Sequence, residues 1–440
     1  MPVMSPNWSE VAARLRSMAW TRWFPHAALF ALALTIRSTW VLWVDRVGFV
    51  LNDALMYHSN AVAINQGLGF RPPQGGPSAQ WPPGYSTVLS GLYWVFGIDP
   101  LVGELFNALV GSVTVVLLML LVERVVDRRT GIVAGAMLAV LPRPVLWTDV
   151  LLTETLFTAL FVGFFLVLVH ARPTWRWLAL IGLVMGVGAL VRGEALTWGL
   201  LPIVLFWREL SRRQLVWRIG TIGVVVAVVL APWTIRNAVV MDAFVPVATN
   251  ASQTLWSGHN PDATGGQVYP PDSFYQQFDQ EPPLRELQSS KALRNEAFDY
   301  MFSHPVRELQ LIPLKLIHLN RGDSYALDWV NAAPDEPPIS AIDAERIGVI
   351  ADFGYYSLLT MTVLGAFLLG RSFWGSSAGR LILASFLTML FLYGFLYYGN
   401  YRYRVPFEPM MSVVAATLLT RARSAFHEPP ETDNGYATSP

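Results

Sequence analysis

The sequence predicts an all-α polytopic membrane protein, a bundle of about ten transmembrane helices with an extracytoplasmic loop-helix region and a small outer cap. Composition is the first reason. Charged residues make up only 14% of the 440 and hydrophobic residues 53%, with a mean hydropathy of +0.40, so most of the chain needs lipid or other apolar helices around it. Apolar runs are the second. A span needs roughly 20 apolar residues, and runs centre on 25–44, 101–122, 131–148, 153–170, 177–192, 194–207, 217–235, 349–370, 380–398 and 405–420. The sixth run is short, and the apolar piece 84–97 has a length that suits a re-entrant or interfacial helix better than a span.

The third reason is how the basic residues sort. With both termini in the cytoplasm, sixteen arginines lie at inner ends and loops: 14, 16, 22, 124, 128, 129, 172, 176, 208, 212, 213, 218, 371, 380, 421 and 423. Leaving aside the long segment after the seventh run, the outer side holds six: Arg46, Arg71, Arg143, Arg192, Arg402 and Arg404. The positive-inside rule is satisfied, and counting 84–97 as a full span would degrade it. The first run, preceded by Arg14, Arg16 and Arg22, ends in Trp43-Val44-Asp45-Arg46 without a small-residue cleavage site and reads as an uncleaved anchor.

This parity divides the chain into a cytoplasmic segment 1–24, a membrane module 25–235 with an outer loop 45–100, an extracytoplasmic cap 236–348, C-terminal helices 349–420 and a polar, disordered cytoplasmic tail 421–440. Within the cap, Asn260-Pro261-Asp262-Ala263-Thr264-Gly265-Gly266 favours an irregular loop. Helical periodicity returns from Leu284 to His304, so the cap is expected to be mostly helical. The chain shows no convincing internal repeat. Net charge is zero, which provides no field for nucleic acid, and the absence of cysteine excludes disulfides, thiolate metal sites and cysteine nucleophiles. Arginine supplies nearly all of the positive charge, with Lys291 and Lys315 the only lysines.

Ionisable side chains at span ends are costly, so their placement is informative. Here they collect on the outer side. Asp53 follows the first run, in Leu51-Asn52-Asp53-Ala54-Leu55-Met56-Tyr57-His58; Asp149 and Glu154 flank Leu151-Leu152-Thr153. Arg192 and Glu194 sit at a tight outer turn, Arg236 follows Pro232-Trp233-Thr234-Ile235, and Arg402 and Arg404 lie in Tyr401-Arg402-Tyr403-Arg404-Val405-Pro406. Such a mixture suits displacement of an anionic leaving group by a hydroxyl. The hydroxyl needs a carboxylate to take its proton, and a departing phosphate needs guanidinium groups or a divalent cation. Arg37, inside the first run, has no role that the sequence reveals.

The pattern resembles the GT-C glycosyltransferases of the dolichyl-phosphate-mannose-protein mannosyltransferase and aminoarabinose-transferase type (glycosyltransferase family 39-like). Its carriers are Asp53 with Tyr57, Gly67-Leu68-Gly69-Phe70, Pro82-Pro83-Gly84-Tyr85, Thr153-Glu154, Arg192-Gly193-Glu194, Pro232-Trp233-Thr234-Ile235-Arg236-Asn237 leading to Phe244-Val245-Pro246-Val247, and the Tyr401 to Pro406 stretch. The order and spacing of these pieces together carry the resemblance.

Arginine in place of lysine, with abundant Ala, Val and Leu, suggests a GC-rich bacterial genome and hence a multi-pass protein of the bacterial inner (plasma) membrane, and the parity puts the site on the extracytoplasmic face; the resemblance adds a GT-C-like bundle. It implies a polyprenyl-phosphate sugar donor, a cell-envelope glycan, lipid or protein acceptor, and inverting transfer with Asp53 as general base or acceptor-orienting group. Glu154 falls at the family's second acidic position, for a metal or the acceptor; together Asp53 and Glu154 are the expected catalytic pair. Outer arginines would hold donor phosphate, so Arg192, Glu194, Arg236, Arg402 and Arg404, with Tyr57 and Tyr85, form the expected substrate-binding set. A divalent cation, Mg or Mn, is the one cofactor in question. Some relatives carry glutamate ahead of the loop-one proline pair where this chain has Gln80, leaving His58 and His259, with the two acids, as candidate ligands.

Each residue also has a structural explanation. Asp53 is a favoured N-cap and Glu154 a first-turn acid. Arg192 and Glu194 form a plausible turn-closing ion pair, and Arg236, Arg402 and Arg404 sit where arginines snorkel. Trp81 and Tyr85 suit an aromatic belt as well as a sugar platform. The competing function is a transporter or lipid flippase, which calls for ionisable groups near midplane and paired broken helices. A non-catalytic scaffold on the same bundle is a further alternative.

Overall fold

The computed structural model describes residues 8–44, 53–72, 75–172, 174–199, 211–278, 281–332 and 336–425, and among them there is no strand. Arg46 and Asn52, residues 200–207 of the sixth apolar run, Arg208 and the tail beyond residue 425 lie outside the described residues. Helix α1 (Trp8–Val44) is followed by α2 (Asp53–Asn65) and α3 (Gly84–Phe96), which pack against each other. Next come α4 (Pro100–Val125), opened by an Asp99 side chain that accepts from Leu101 N, then α5 (Arg128–Val140), α6 (Pro142–Leu146), α7 (Glu154–His170), α8 (Trp175–Val191) and α9 (Arg212–Met241). The segment after α9 folds into α10 (Ala251–Gly258), α11 (Leu284–Ser303) and α12 (Pro305–Leu319) with shorter turns, α11 covering the stretch whose periodicity predicted a helix. Helices α13 (Ala341–Leu368), α14 (Ser377–Leu390) and α15 (Glu408–Ala425) close the chain.

By length and composition α1, α4, α9, α13 and α14, the last continued to Leu396 by a π-helical turn, can each cross a membrane. The chain is therefore a multi-pass helical membrane protein. Five expected spans take other forms: 153–170 and 177–192 become the shorter apolar helices α7 and α8, and 405–420 opens in a 3-10 segment ahead of α15. Residues 194–207 start as a 3-10 helix, Gly193–Gly199, and 131–148 is a broken rod, α5 bending by 55° into the Pro142–Asp149 segment. The break follows from Pro142, which has no N–H for the carbonyl of Leu138. Arg37 supplies the missing donors: its NH2 reaches Leu138 O at 3.2 Å and its NH1 Ala139 O at 3.1 Å. A buried arginine unexplained by sequence thus caps a broken helix from the side.

Helix α4 sits centrally against α1, α5 and α7. Helix α9 lies on α8 through a small-residue contact, since a Cβ at Gly182 or Gly186 would stand 2.8 Å from Val225 Cβ or Val229 Cβ. This is the close backbone approach that glycine spacing allows in lipid. The far side of α9 leaves Val216, Trp217, Val224, Val228 and Val239 exposed, a surface that hydrocarbon accepts and water would not.

Candidate active site

Several distant segments converge on one cavity of about 560 Å³, lined among others by Asp53, Tyr57, Gln80, Arg192, Glu194 and Arg402. Asp53 is the first residue of α2, and Tyr57 lies one turn on, edge-on to Tyr85 at 5.5 Å. The proline pair hands the chain to α3 at Gly84, where a Cβ would lie 2.7 Å from Leu190 O at the end of α8. Only glycine lets loop one close on the turn that carries Arg192. A further wall comes from the Tyr401–Phe407 3-10 helix, whose Asn400 cap accepts from Arg402 N at 2.9 Å.

The charged groups alternate in a chain. Asp53 Oδ2 accepts from Arg402 NH1 at 2.6 Å, and Arg402 Nε donates to Glu154 Oε1. That same Glu154 oxygen accepts from Arg192 NH1 at 2.8 Å, and Arg192 NH2 reaches Glu194 Oε1 at 3.1 Å. Three carboxylates thus meet two guanidinium groups, for a formal excess of one negative charge. Exposure separates the acids: the Asp53 side chain is 36% accessible, Glu154 only 1%. Asp53 can touch a ligand, whereas Glu154 lies beneath the wall and holds two arginines in place.

Arg402 also lies over the Trp329 ring, 4.9 Å from its centroid, and Arg192 over Tyr403 at 5.4 Å. Burial alone would lower the proton affinity of Arg402, but Glu154 and Asp53 outweigh it and hold the group well above its ordinary value. Tyr269, on the opposite wall, is pushed up by burial and by the Asp53 carboxylate. Among the described residues lining the cavity, Arg192 and Arg402 are the only cations.

Several expected site residues lie elsewhere. Tyr85 is fully buried and donates to Asn107 Oδ1 at 3.1 Å, which makes it a packing residue behind Tyr57. Arg236 is a backbone clamp, with NH1 on Ser78 O at 2.7 Å and NH2 on Phe70 O at 2.8 Å. Its neighbours act alike: Trp233, Thr234 and Asn237 donate to the carbonyls of Val247, Pro246 and Val245. The Gly67 to Phe70 motif belongs to the same staple, because Gly67 and Gly69 have φ of +73° and +75° and Phe70 packs on Trp233 at 5.0 Å. Arg404 points into a second buried cluster, where it meets Asp323 and Glu408 together with Arg143. That cluster anchors the 3-10 helix from behind while Arg402 faces the cavity.

The metal candidates separate too. His58 Nδ1 lies 2.9 Å from the Tyr93 hydroxyl, while His259 is buried against Glu308 at 2.7 Å and Leu396 O at 3.0 Å. Among the described residues no three His, Asp or Glu side chains converge to hold an ion. The donor set does not fit a protein-caged cation. Conversely, the cavity wall includes Tyr269, Trp329, Tyr397, Tyr398, Asn250 and Gln253, none singled out from sequence. Tyr397 and Tyr398 directly precede Asn400 and Arg402, and that proximity was the available signal; Trp329 and the amides come from the cap, where no motif marks them.

Residues 80–235 match the family model of dolichyl-phosphate-mannose-protein mannosyltransferases. A sequence search of curated proteins returns no match. Among solved structures, the apo oligosaccharyltransferase of Archaeoglobus fulgidus superposes with a TM-score of 0.56 at 13% identity, over 93% of this chain and 52% of that one. The same archaeal enzyme, AglB, with an inhibitory peptide and a dolichol-phosphate gives 0.50 at 13% identity, over 93% and 51%. ArnT from Cupriavidus metallidurans bound to undecaprenyl phosphate gives 0.45 at 15%, over 91% and 78%. The chain spans about half the length of the oligosaccharyltransferase. Its helical bundle is a GT-C fold, as the sequence resemblance implied.

Proposed function

We propose that this protein is a membrane glycosyltransferase that moves a sugar from a polyprenyl-phosphate carrier to an extracytoplasmic acceptor with inversion at the anomeric carbon. The observation that carries the reading is the Asp53–Arg402 pair, an accessible carboxylate and a fixed guanidinium sharing one cavity wall. The family match over 80–235 and the dolichol-phosphate bound by the archaeal enzyme of the same fold support the class of donor. Cytoplasmic termini and an outward-facing cavity follow the arginine sorting, and a bacterial inner membrane follows the arginine-rich, lysine-poor composition. In this reading the 25–235 module and the Tyr401–Phe407 segment carry the chemistry, and 236–348 caps it.

Both cavity cations are already paired, so a donor phosphate must compete with Asp53 for Arg402. That exchange is productive. Phosphate takes the NH1 face of Arg402, and the Asp53 carboxylate is freed to accept a hydrogen bond from the acceptor hydroxyl. The acceptor oxygen then bonds to the anomeric carbon while the bond from that carbon to the phosphate oxygen breaks. The hydroxyl proton passes to Asp53, and the polyprenyl phosphate leaves against Arg402. Glu154 and Arg192 act as positioning residues, and no step requires a protein-caged metal.

The test is glycan and lipid profiling of a deletion strain, followed by reconstitution of the purified protein with the implicated polyprenyl phosphosugar. Transfer in the reconstituted system, resistant to EDTA, supports the reading. An unchanged glycan profile together with substrate movement across the bilayer would support the transporter instead.

A further inference from the structure

Beside the charged cavity lies a second, smaller one of about 210 Å³, and the two share Gln80, Asn250 and Gln253 as a common wall. That wall is built, not incidental. Thr249 N donates to Ala79 O at 2.9 Å and Asn250 N to Gln80 O at 3.2 Å, joining loop one to the cap. Glu286 locks the junction from α11: its Oε1 accepts from Ala79 N at 3.1 Å and Thr249 Oγ1 at 2.7 Å, its Oε2 from Ser78 Oγ at 2.7 Å. Ser290 is likewise committed, to Thr249 O and Ser252 Oγ. The side-chain amides of Gln80, Asn250 and Gln253, in contrast, have no hydrogen-bond partner among the described residues.

Three uncommitted amides on one wall define the ligand's chemistry. Each offers an acceptor oxygen and two donors, which matches hydroxyls that donate and accept in turn. The Tyr275 ring and the faces of Pro72 and Pro282 add apolar surface for the C–H face of a pyranose. The Glu286 charge is spent on neutral protein donors, and Arg285, exposed at the rim, donates to Tyr275 O at 3.4 Å, so the shared wall itself presents neutral groups. A peptide that binds by strand addition needs a sheet edge, and none is present among the described residues.

We propose that the second cavity is an acceptor subsite for a neutral glycosyl unit, which holds the sugar next to the one whose hydroxyl is presented to Asp53. The acceptor is then a saccharide chain and not a peptide. This rests on the glycosyltransferase reading and adds the acceptor class to it. Gln80, Asn250 and Gln253 become specificity-determining residues.

Saturation-transfer NMR on the full-length protein in nanodiscs tests this with maltotriose, chitotriose and mannotriose, against a capped Ala-Ser-Thr-Ala peptide. At least one trisaccharide should bind, and Asn250→Ala and Gln253→Ala should each weaken it about threefold to tenfold, the loss expected for one or two hydrogen bonds. The melting temperature of each variant checks that it folds. Peptide binding without saccharide binding overturns the inference, as does silence from all three sugars or saccharide binding indifferent to both amides. Undecaprenyl phosphate binding to the wild type, measured alongside, separates the two readings. Lipid bound without sugar sinks the subsite alone, whereas sugar bound without lipid sinks the donor assignment.

Discussion

Arg402 donates from NH1 to Asp53 and from Nε to Glu154, so one guanidinium joins an accessible carboxylate to a buried one. The two acids belong to helices about a hundred residues apart in sequence, α2 and α7, and Arg402 reaches them from the far end of the chain.

Glu154→Gln should cost about 3–5 kcal/mol of stability, because it strips two buried guanidinium groups of their shared anion. Thermal unfolding in detergent measures the loss. Adding Arg192→Met should not recover it, since Glu194 then loses its partner as well. If the single variant melted at the wild-type temperature, Glu154 would not be the buried keystone of the network.

Arg236 and Arg402 should separate in kinetics. Arg402→Lys keeps the charge but loses the fork that spans two carboxylates, so transfer should fall by roughly 10²-fold or more with a raised donor KM. Arg236→Ala removes a clamp on Ser78 and Phe70 and should lower the melting temperature with little change in donor KM. A donor KM defect confined to Arg236→Ala would restore that arginine as a phosphate ligand.

Lys315 gives the pH test. Burial, opposed by Glu308, lowers its pKa to about 8 from 10.5, and its ammonium lies 3.3 Å from His259 Nε2. The unfolded chain therefore holds more protons than the folded one between those values, and stability contributed by this group rises with pH across that window. The slope is at most about 1.4 kcal/mol per pH unit. Melting curves from pH 7 to 10 should rise in the wild type relative to Lys315→Met; parallel curves would remove the assignment.

How much of this was legible in the sequence differs by residue type. Apolar runs and arginine sorting specify the bundle, because hydrocarbon permits few alternatives to helices. Asp53, Arg192, Glu194 and Arg402 were legible as outer ionisable groups, and they do share one wall. Arg236 and Arg404 carried the same signal, yet the fold turns both toward protein: backbone carbonyls for one, Asp323 and Glu408 for the other. Snorkelling arginines and site arginines look alike until their partners are known. The bend at Pro142 was written in the proline itself, but the donor that satisfies it, Arg37, lies about a hundred residues away. Asn250, Gln253 and Trp329 left no trace, since single polar or aromatic residues in a cap match no periodicity.

The account turns on Asp53 as the base that Arg402 releases. Single-turnover transfer from a polyprenyl phosphosugar by purified Asp53→Asn, with donor binding measured on the same preparation, addresses this directly. The predicted result is transfer reduced by roughly 10²-fold to 10⁴-fold with the donor still bound at wild-type affinity or tighter, because the competing carboxylate charge is gone. Wild-type turnover by that variant would contradict it.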